Sequence, residues 1–353
     1  MKHGVIMRTR AKEVIRDYQI DVLKALGIIF VIAGHTGSPF RLFFYAFHMP
    51  LFFFVSGFLR NNSKKDKIQW GKFTISRLKT SLLPYFVFWV ISYLFLFVEA
   101  YFKHTPLPEM LNFNNIKGLL LGGHWLNDYS NNFSLWYFQF YFLAVMVFEV
   151  IVRYFNKYFK SIIFIALFFI IIPFQKAIPG RPIFHINILP AALFFMLFGY
   201  FIKYIIDNKI FSEFKSNIPV GCLFLVIGWH FSSRKYSNVA AINSYSYIVG
   251  ACLLIIGFYI ISSLLVNRKS LIYVGGKTMY ILGLHLLVKE VCYNFSRFIV
   301  TSVEINNELT YNCIVVLSDL LVCCGLAELF LFVKNKIVKE KLYLKYKTRL
   351  IKI

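Results

Sequence analysis

The sequence predicts an all-α protein: a polytopic membrane bundle of about ten transmembrane helices with both termini cytoplasmic. Three observations predict it. The 353 residues are 58% hydrophobic and only 16% charged, where soluble domains are nearer a quarter charged. The apolar residues fall in long blocks, with a mean hydropathy of +0.63, as spans in lipid require. The cations are distributed unevenly between those blocks, and such asymmetry orients a membrane chain.

Ten hydrophobic segments follow one another, at roughly 20–37, 41–59, 81–102, 134–152, 161–173, 187–206, 217–231, 247–266, 271–289 and 312–333. If the N-terminus is inside and the segments alternate, the inside stretches hold 28 of the 39 Lys and Arg residues and the outside loops nine. That bias places both ends in the cytoplasm of a cell inner (plasma) membrane protein. A soluble chain with a net charge of +23 would suggest nucleic acid. Here the placement of the charge points to anionic lipid instead, and no nucleic-acid partner is expected. The 41 Phe and 22 Tyr suit apolar packing and interfacial belts. Residues 1–353 are read as one domain with a basic cytoplasmic tail, 334–353.

The first segment carries Lys24 and His35, eleven residues apart. Eleven steps of about 100° return a helix to within roughly 20° of its start, and about 1.5 Å per residue separates the two by about 16 Å. Both therefore project from one face, which suggests a track lining a cavity. Lys24 also interrupts the apolar run, and no small-x-small site ends it, so the segment is read as a retained span rather than a cleaved signal. The second segment contains His48 and Pro50, and its Ser56 and Gly57 suggest a helix-packing notch. Before the third lies a basic stretch, 60–80, whose part from Trp70 to Lys79 resembles an interfacial helix. The long polar stretch 103–133, with His104, Pro106, Pro108, His124, Trp125 and Asp128, reads as an outer loop of functional length. Ser134, Leu135, Trp136 and Tyr137 open the fourth segment at the interface. The fifth and seventh are short for full spans, and are tilted, broken or extended by their neighbours. Gly275 and Gly276 open the ninth, which carries Lys277 and His285.

His35, His48 and His285 fall at similar computed depths, in the outer half of a core about 30 Å thick. Each is explained either by a hydrogen bond to a neighbouring helix or by a shared site. Three imidazoles also suit zinc, but no carboxylate or thiol lies at a fitting depth, and no metal is expected. Lys24 lies nearer the cytoplasmic face. There it either pairs with Asp21 or holds a phosphate. The phosphopantetheine arm of coenzyme A is roughly as long as the Lys24–His35 separation set by the helix rise. Glu149, Asp319 and Glu328, near or inside spans, leave open a proton or ion relay. The six cysteines read as buried thiols, with a Cys292–Cys313 bridge as the one conceivable disulfide.

Together these residues resemble the acyltransferase-3 family of integral membrane acyltransferases. The carrying pieces are Arg16 to Lys24 leading to Gly34 and His35; Phe47 to Pro50 followed by Ser56 and Gly57; Ser134 to Tyr137; and Gly276 to His285. Lys24 and His35 match the family's basic residue, ten-residue gap, histidine pattern. The motifs most resemble the fucose 4-O-acetylase-like branch. One departure stands out. Where the family often has two arginines three apart before the proline of span three, Arg77 is followed by Thr80, with Lys79 beside it. A lysine attracts phosphate as a point charge, without an arginine's fork.

The resemblance implies O-acetyl transfer from cytoplasmic acetyl-CoA to a hydroxyl of a cell-surface polysaccharide or lipid-linked sugar precursor. His35 is then the general base or a transient acyl carrier. His48 and His285 orient His35 or polarise the thioester carbonyl. Lys24, Arg77 and Lys79 attract the coenzyme, and Trp136 and Tyr137 contact the acceptor sugar. The rival reading is a transporter or flippase for a lipid-linked sugar, which predicts broken-helix repeats in the two halves; none is evident. A sensor or scaffold ranks third. Acyl-CoA, a glycan acceptor and membrane lipid are the expected partners, and the oligomeric state is open.

Overall fold

Helix α1 (Tyr18–His35) begins where the Asp17 carboxylate accepts hydrogen bonds from the backbone N–H groups of Gln19 and Ile20, at 3.1 and 3.3 Å. A short turn leads into α2 (Arg41–Phe58), and the pair forms the centre of the molecule. A computed structural model describes residues 17–60, 69–104, 113–122, 132–208, 217–232, 238–303 and 307–350. Among the described residues every regular element is a helix. After α2 come α3 (Trp70–Arg77), α4 (Leu83–Lys103), α5 (Phe113–Leu121), α6 (Trp136–Tyr154), α7 (Lys157–Ala177), α8 (Leu189–Asp207), α9 (Ile218–Ser232), α10 (Tyr245–Ser262), α11 (Lys269–Gly276), α12 (Thr278–Ser302) and α13 (Glu308–Leu350).

Eight of the helical runs are long and apolar enough to cross a bilayer, and a ninth if α11 and α12 are one span. All ten segments read from the sequence are helical, but they are not ten equal spans. The ninth breaks by 81° at Lys277. There Gly275 and Gly276 end α11, and Glu328 of α13 takes a salt bridge from Lys277 (2.8 Å) and a hydrogen bond from the Tyr273 hydroxyl (2.6 Å). The seventh, α9, has 15 residues, too few for a straight crossing. The fifth is a full 21 residues, because helix continues through Pro173 to Ala177. The interfacial stretch runs from α3 through a π-helical turn, Leu78–Leu82, straight into α4. Pro84 sits in the first turn of α4, directly after the π-helical turn, where the helical hydrogen-bond pattern is already shifted.

Stretch 103–133 is not all loop. It holds α5, whose Leu119 carbonyl accepts from the Tyr85 hydroxyl (2.9 Å) and the Gln139 amide (2.7 Å). His104 caps α4 in the left-handed region. Pro106, Pro108, His124, Trp125 and Asp128 lie outside the described residues, as do the first sixteen residues and 61–68. The six cysteines are free thiols, and Cys292 and Cys313 are not bridged.

Helices α1, α2, α6, α8 and α10 carry most of the buried residues. By contrast, α4, α7 and α13 turn much of their apolar surface outward. Leu94, Ile162, Ile165, Phe169, Leu321 and Phe332 are all exposed. Such faces are stable against lipid, not water. Within the bundle, α2 and α8 approach until their backbones touch. A Cβ on Gly57 would overlap the Met196 carbonyl, and one on Gly199 would overlap that of Phe54. Gly57 is thus the expected packing notch, and Gly199 is its reciprocal.

Substitution of either glycine by alanine is expected to wedge these helices apart and cost about 1–3 kcal/mol. The melting temperature of the purified protein in detergent reads this. An unshifted midpoint for both G57A and G199A would refute the close contact.

Candidate active site

Three helices bring three imidazoles to one point. His35 ends α1, His48 lies in the middle of α2, and His285 lies on α12. The His35 and His285 ring centroids are 5.5 Å apart. Tyr45 bridges the other pair: its hydroxyl hydrogen-bonds His35 Nδ1 at 3.0 Å, and its ring lies 5.2 Å from that of His48. The depth arithmetic on the sequence anticipated this convergence, because helix rise is uniform from span to span.

Local backbone geometry fixes two of the rings. A carbonyl oxygen can only accept, so a ring nitrogen bonded to one must carry the proton. His285 Nδ1 donates to the carbonyls of Leu282 (3.0 Å) and Ile281 (3.2 Å). His48 Nδ1 donates to the Phe44 carbonyl. In the neutral rings each Nε2 is then an acceptor. His285 Nε2 is buried without a hydrogen-bond partner.

A polar clamp holds the α12 backbone beneath His285. Ser134 Oγ donates to the Leu282 carbonyl (2.9 Å), and Asn132 Nδ2 donates to the Gly283 carbonyl (2.9 Å) and to Ser92 Oγ (3.0 Å). All three side chains are buried. The sequence pointed to the Ser134–Tyr137 stretch for its aromatics; its serine does the positioning.

The three histidines line a cavity of about 320 Å³ together with Trp136 and Tyr137, within the size range of small-molecule sites. Arg41, Tyr45, Phe133, Arg181 and His185 also line it, and sequence reasoning missed them. Among the described residues no three His, Cys, Asp or Glu side chains are grouped as metal ligands.

A second cavity, of about 380 Å³, lies alongside. Lys24, Arg60 and Arg77 line it, with Ser56, Tyr141, Glu149 and Thr278. Lys24 forms a 2.6 Å salt bridge with Asp21, the alternative that its spacing left open. Arg77 stacks on the Phe73 ring (5.0 Å), and its Nε is buried without a partner. Lys79 is exposed and is not among the residues lining the cavity. Arg60 is locked by two 2.9 Å hydrogen bonds to Glu149, which Arg153 also meets at 2.6 Å. The carboxylates that suggested a relay are therefore engaged: Glu149 here, Glu328 at the α11–α12 bend, and Asp319 accepting from the Cys323 thiol (3.3 Å).

The single Lys24–His35 track expected from α1 is not what forms. The two residues line separate cavities, and Tyr137 and Leu282 line both, forming the wall between them. Tyr137 is stacked on Tyr141 and Phe53, and the Leu282 carbonyl is held by Ser134 and His285. The continuous stripe is on α2 instead. Arg41, Tyr45, His48, Phe52 and Ser56 recur at helical spacing, with Arg60 one turn on, and run from one cavity into the other. That period was available in the sequence but was masked by the many phenylalanines around it.

The helical membrane bundle thus holds two neighbouring cavities, one lined by imidazoles and two arginines, the other by Lys24, Arg60, Arg77 and Glu149. Residues 17–328 match the family model described as an acyltransferase domain. The chain belongs to the acyltransferase-3 family: it is a multi-pass membrane protein and a transferase that moves acyl groups. No curated protein and no solved structure matches the chain.

Replacing Glu149 by Ala removes the carboxylate that Arg60, its side chain 4% exposed, and Arg153 both bond. The expected loss is about 3–5 kcal/mol, that of breaking a buried ion pair from one side. Chemical or thermal unfolding of the variant tests this, and wild-type stability would show that water reaches the pair.

Proposed function

We propose that the protein is a membrane O-acetyltransferase. It takes acetyl from cytoplasmic acetyl-CoA and passes it to a hydroxyl of a cell-surface polysaccharide or lipid-linked sugar precursor, as in the fucose 4-O-acetylase-like branch. Both termini then face the cytoplasm of an inner (plasma) membrane. The observation that carries this reading is the shared wall: a cationic cavity and an imidazole cavity, in contact through Tyr137 and Leu282.

Arg77 and Lys24, the latter through its ammonium shared with Asp21, attract the donor's phosphates, while Arg60 is held by Glu149 in the cavity lining. Lys79, outside the cavity, adds attraction at its approach. The thioester end reaches the histidines past Tyr137 and Leu282. Tyr45 holds Nδ1 of His35, leaving Nε2 for the acceptor. Nε2 takes the proton of the acceptor hydroxyl as that oxygen attacks the thioester carbonyl carbon. The carbon–sulfur bond breaks, and the imidazolium returns the proton to the departing sulfur. His48 and His285 border the reacting centre, and their tautomers set which nitrogen faces it. Trp136 offers its ring to the acceptor sugar, and Tyr137, stacked on Tyr141 and Phe53, lines the cavity beside it.

Replacement of His35 by Ala is expected to lower transfer of labelled acetate from acetyl-CoA to glycan in membrane vesicles by at least about 10²-fold, the ordinary contribution of a general base. Transfer at the wild-type rate, with normal protein levels, removes His35 from the chemistry. Replacement of Lys24 by Ala is expected to raise the KM for acetyl-CoA and leave the KM for acceptor unchanged. The reverse pattern would assign Lys24 to the acceptor.

A further inference from the structure

His185 is held on the histidine cavity by an unusual backbone. It and Phe184 both have positive φ, 50° and 52°, a conformation that non-glycine residues seldom adopt and that persists where the surroundings enforce it. The residue is 8% exposed, and its ring packs 5.2 Å from that of Trp136. Its Nε2 is buried without a hydrogen-bond partner. The enforced backbone thus fixes the His185 ring against Trp136 in the lining of the histidine cavity.

Two arginines line the same cavity. Arg181 lies four residues before His185, and Arg41 opens α2 with its guanidinium over the Tyr45 ring at 5.1 Å. The described residues lining this cavity include four imidazoles and these two arginines, and no carboxylate. The arrangement runs against the charge pattern of the chain. Only nine of its 39 Lys and Arg residues lie in the cation-poor loops, yet two of those nine line this one cavity. Both arginines are exposed while lining the cavity; like charges gathered there favour an anion, and arginine's planar fork matches the paired oxygens of a carboxylate or phosphate.

We propose that the acceptor is anionic: a sugar unit carrying a carboxylate or a phosphate. Arg181 and Arg41 hold its charged oxygens, beside the His185 ring. Trp136, against the His185 ring, packs on the sugar. This inference rests on the acetyl-transfer reading above and names the substrate class of its acceptor side.

The test uses the full-length protein in membrane vesicles, labelled acetyl-CoA, and surface glycan from the native cell. The labelled product is digested, and the acetylated unit is identified by mass spectrometry. Acetate on an acidic sugar supports the proposal with a carboxylate as the anion, and acetate on a phosphorylated unit supports it with a phosphate. Acetate on a neutral unit overturns it and leaves the acetyl-transfer reading standing. No labelled glycan from the wild-type protein defeats that reading itself. In parallel, Arg181→Gln is expected to raise the acceptor KM roughly tenfold, the size of a lost charge-assisted hydrogen bond, with the KM for acetyl-CoA unchanged. Arg181→Lys is expected to restore part of the loss. Arg41→Gln carries the same test if Arg181→Gln does not fold. An unchanged acceptor KM in a folded variant of each arginine overturns the assignment.

Discussion

An imidazole buried between helices in a bilayer must find a partner for its N–H or lose several kcal/mol to desolvation. In this protein, for His48 and His285, the partner is the helix's own backbone: a carbonyl three or four residues earlier accepts from Nδ1. That one local bond satisfies the buried donor, fixes the tautomer, and leaves Nε2 as the unprotonated atom. No second residue is needed to orient the ring, so the histidines can stand on different helices and still meet with defined chemistry. The surrounding structure keeps those helices in register. Asn132 and Ser134 hold the α12 backbone, and the Gly57–Gly199 contact locks α2 against α8.

The α2 helix unites the two halves of the site. Its cavity-facing stripe begins with Arg41 and Tyr45, passes through His48 to Phe52 and Ser56, and reaches Arg60 one turn later. Pro50 lies within it, close to where the stripe leaves one cavity and enters the other. A proline there removes one backbone hydrogen bond, so the rod is interrupted near the boundary between the cavities. The buried Arg60–Glu149–Arg153 cluster anchors the far end of the same stripe to α6.

The sequence was most informative where a single periodicity governed. The span positions, the helical class and the common depth of His35, His48 and His285 all follow from an apolar run and a constant rise per residue. Features that depend on neighbouring helices were not legible. Lys24 and His35 do share a face of α1 by spacing, but Tyr137 and Leu282 enter from α6 and α12 to close the space between them, and no property of α1 foretells that. The break at Lys277 depends on Glu328 of a distant helix. His185 was passed over because it sits in a segment of positive φ, where neither helical nor strand spacing applies. Arg60 looked like an ordinary cytoplasmic cation until Glu149, 89 residues on, was found bonded to it.

The Tyr137–Leu282 wall has a physiological side. An open channel joining a cationic cavity to one rich in titratable rings would let protons run down the potential that an energised membrane maintains. Tyr137 and Leu282 border both cavities, so these two side chains stand where such a path would have to pass.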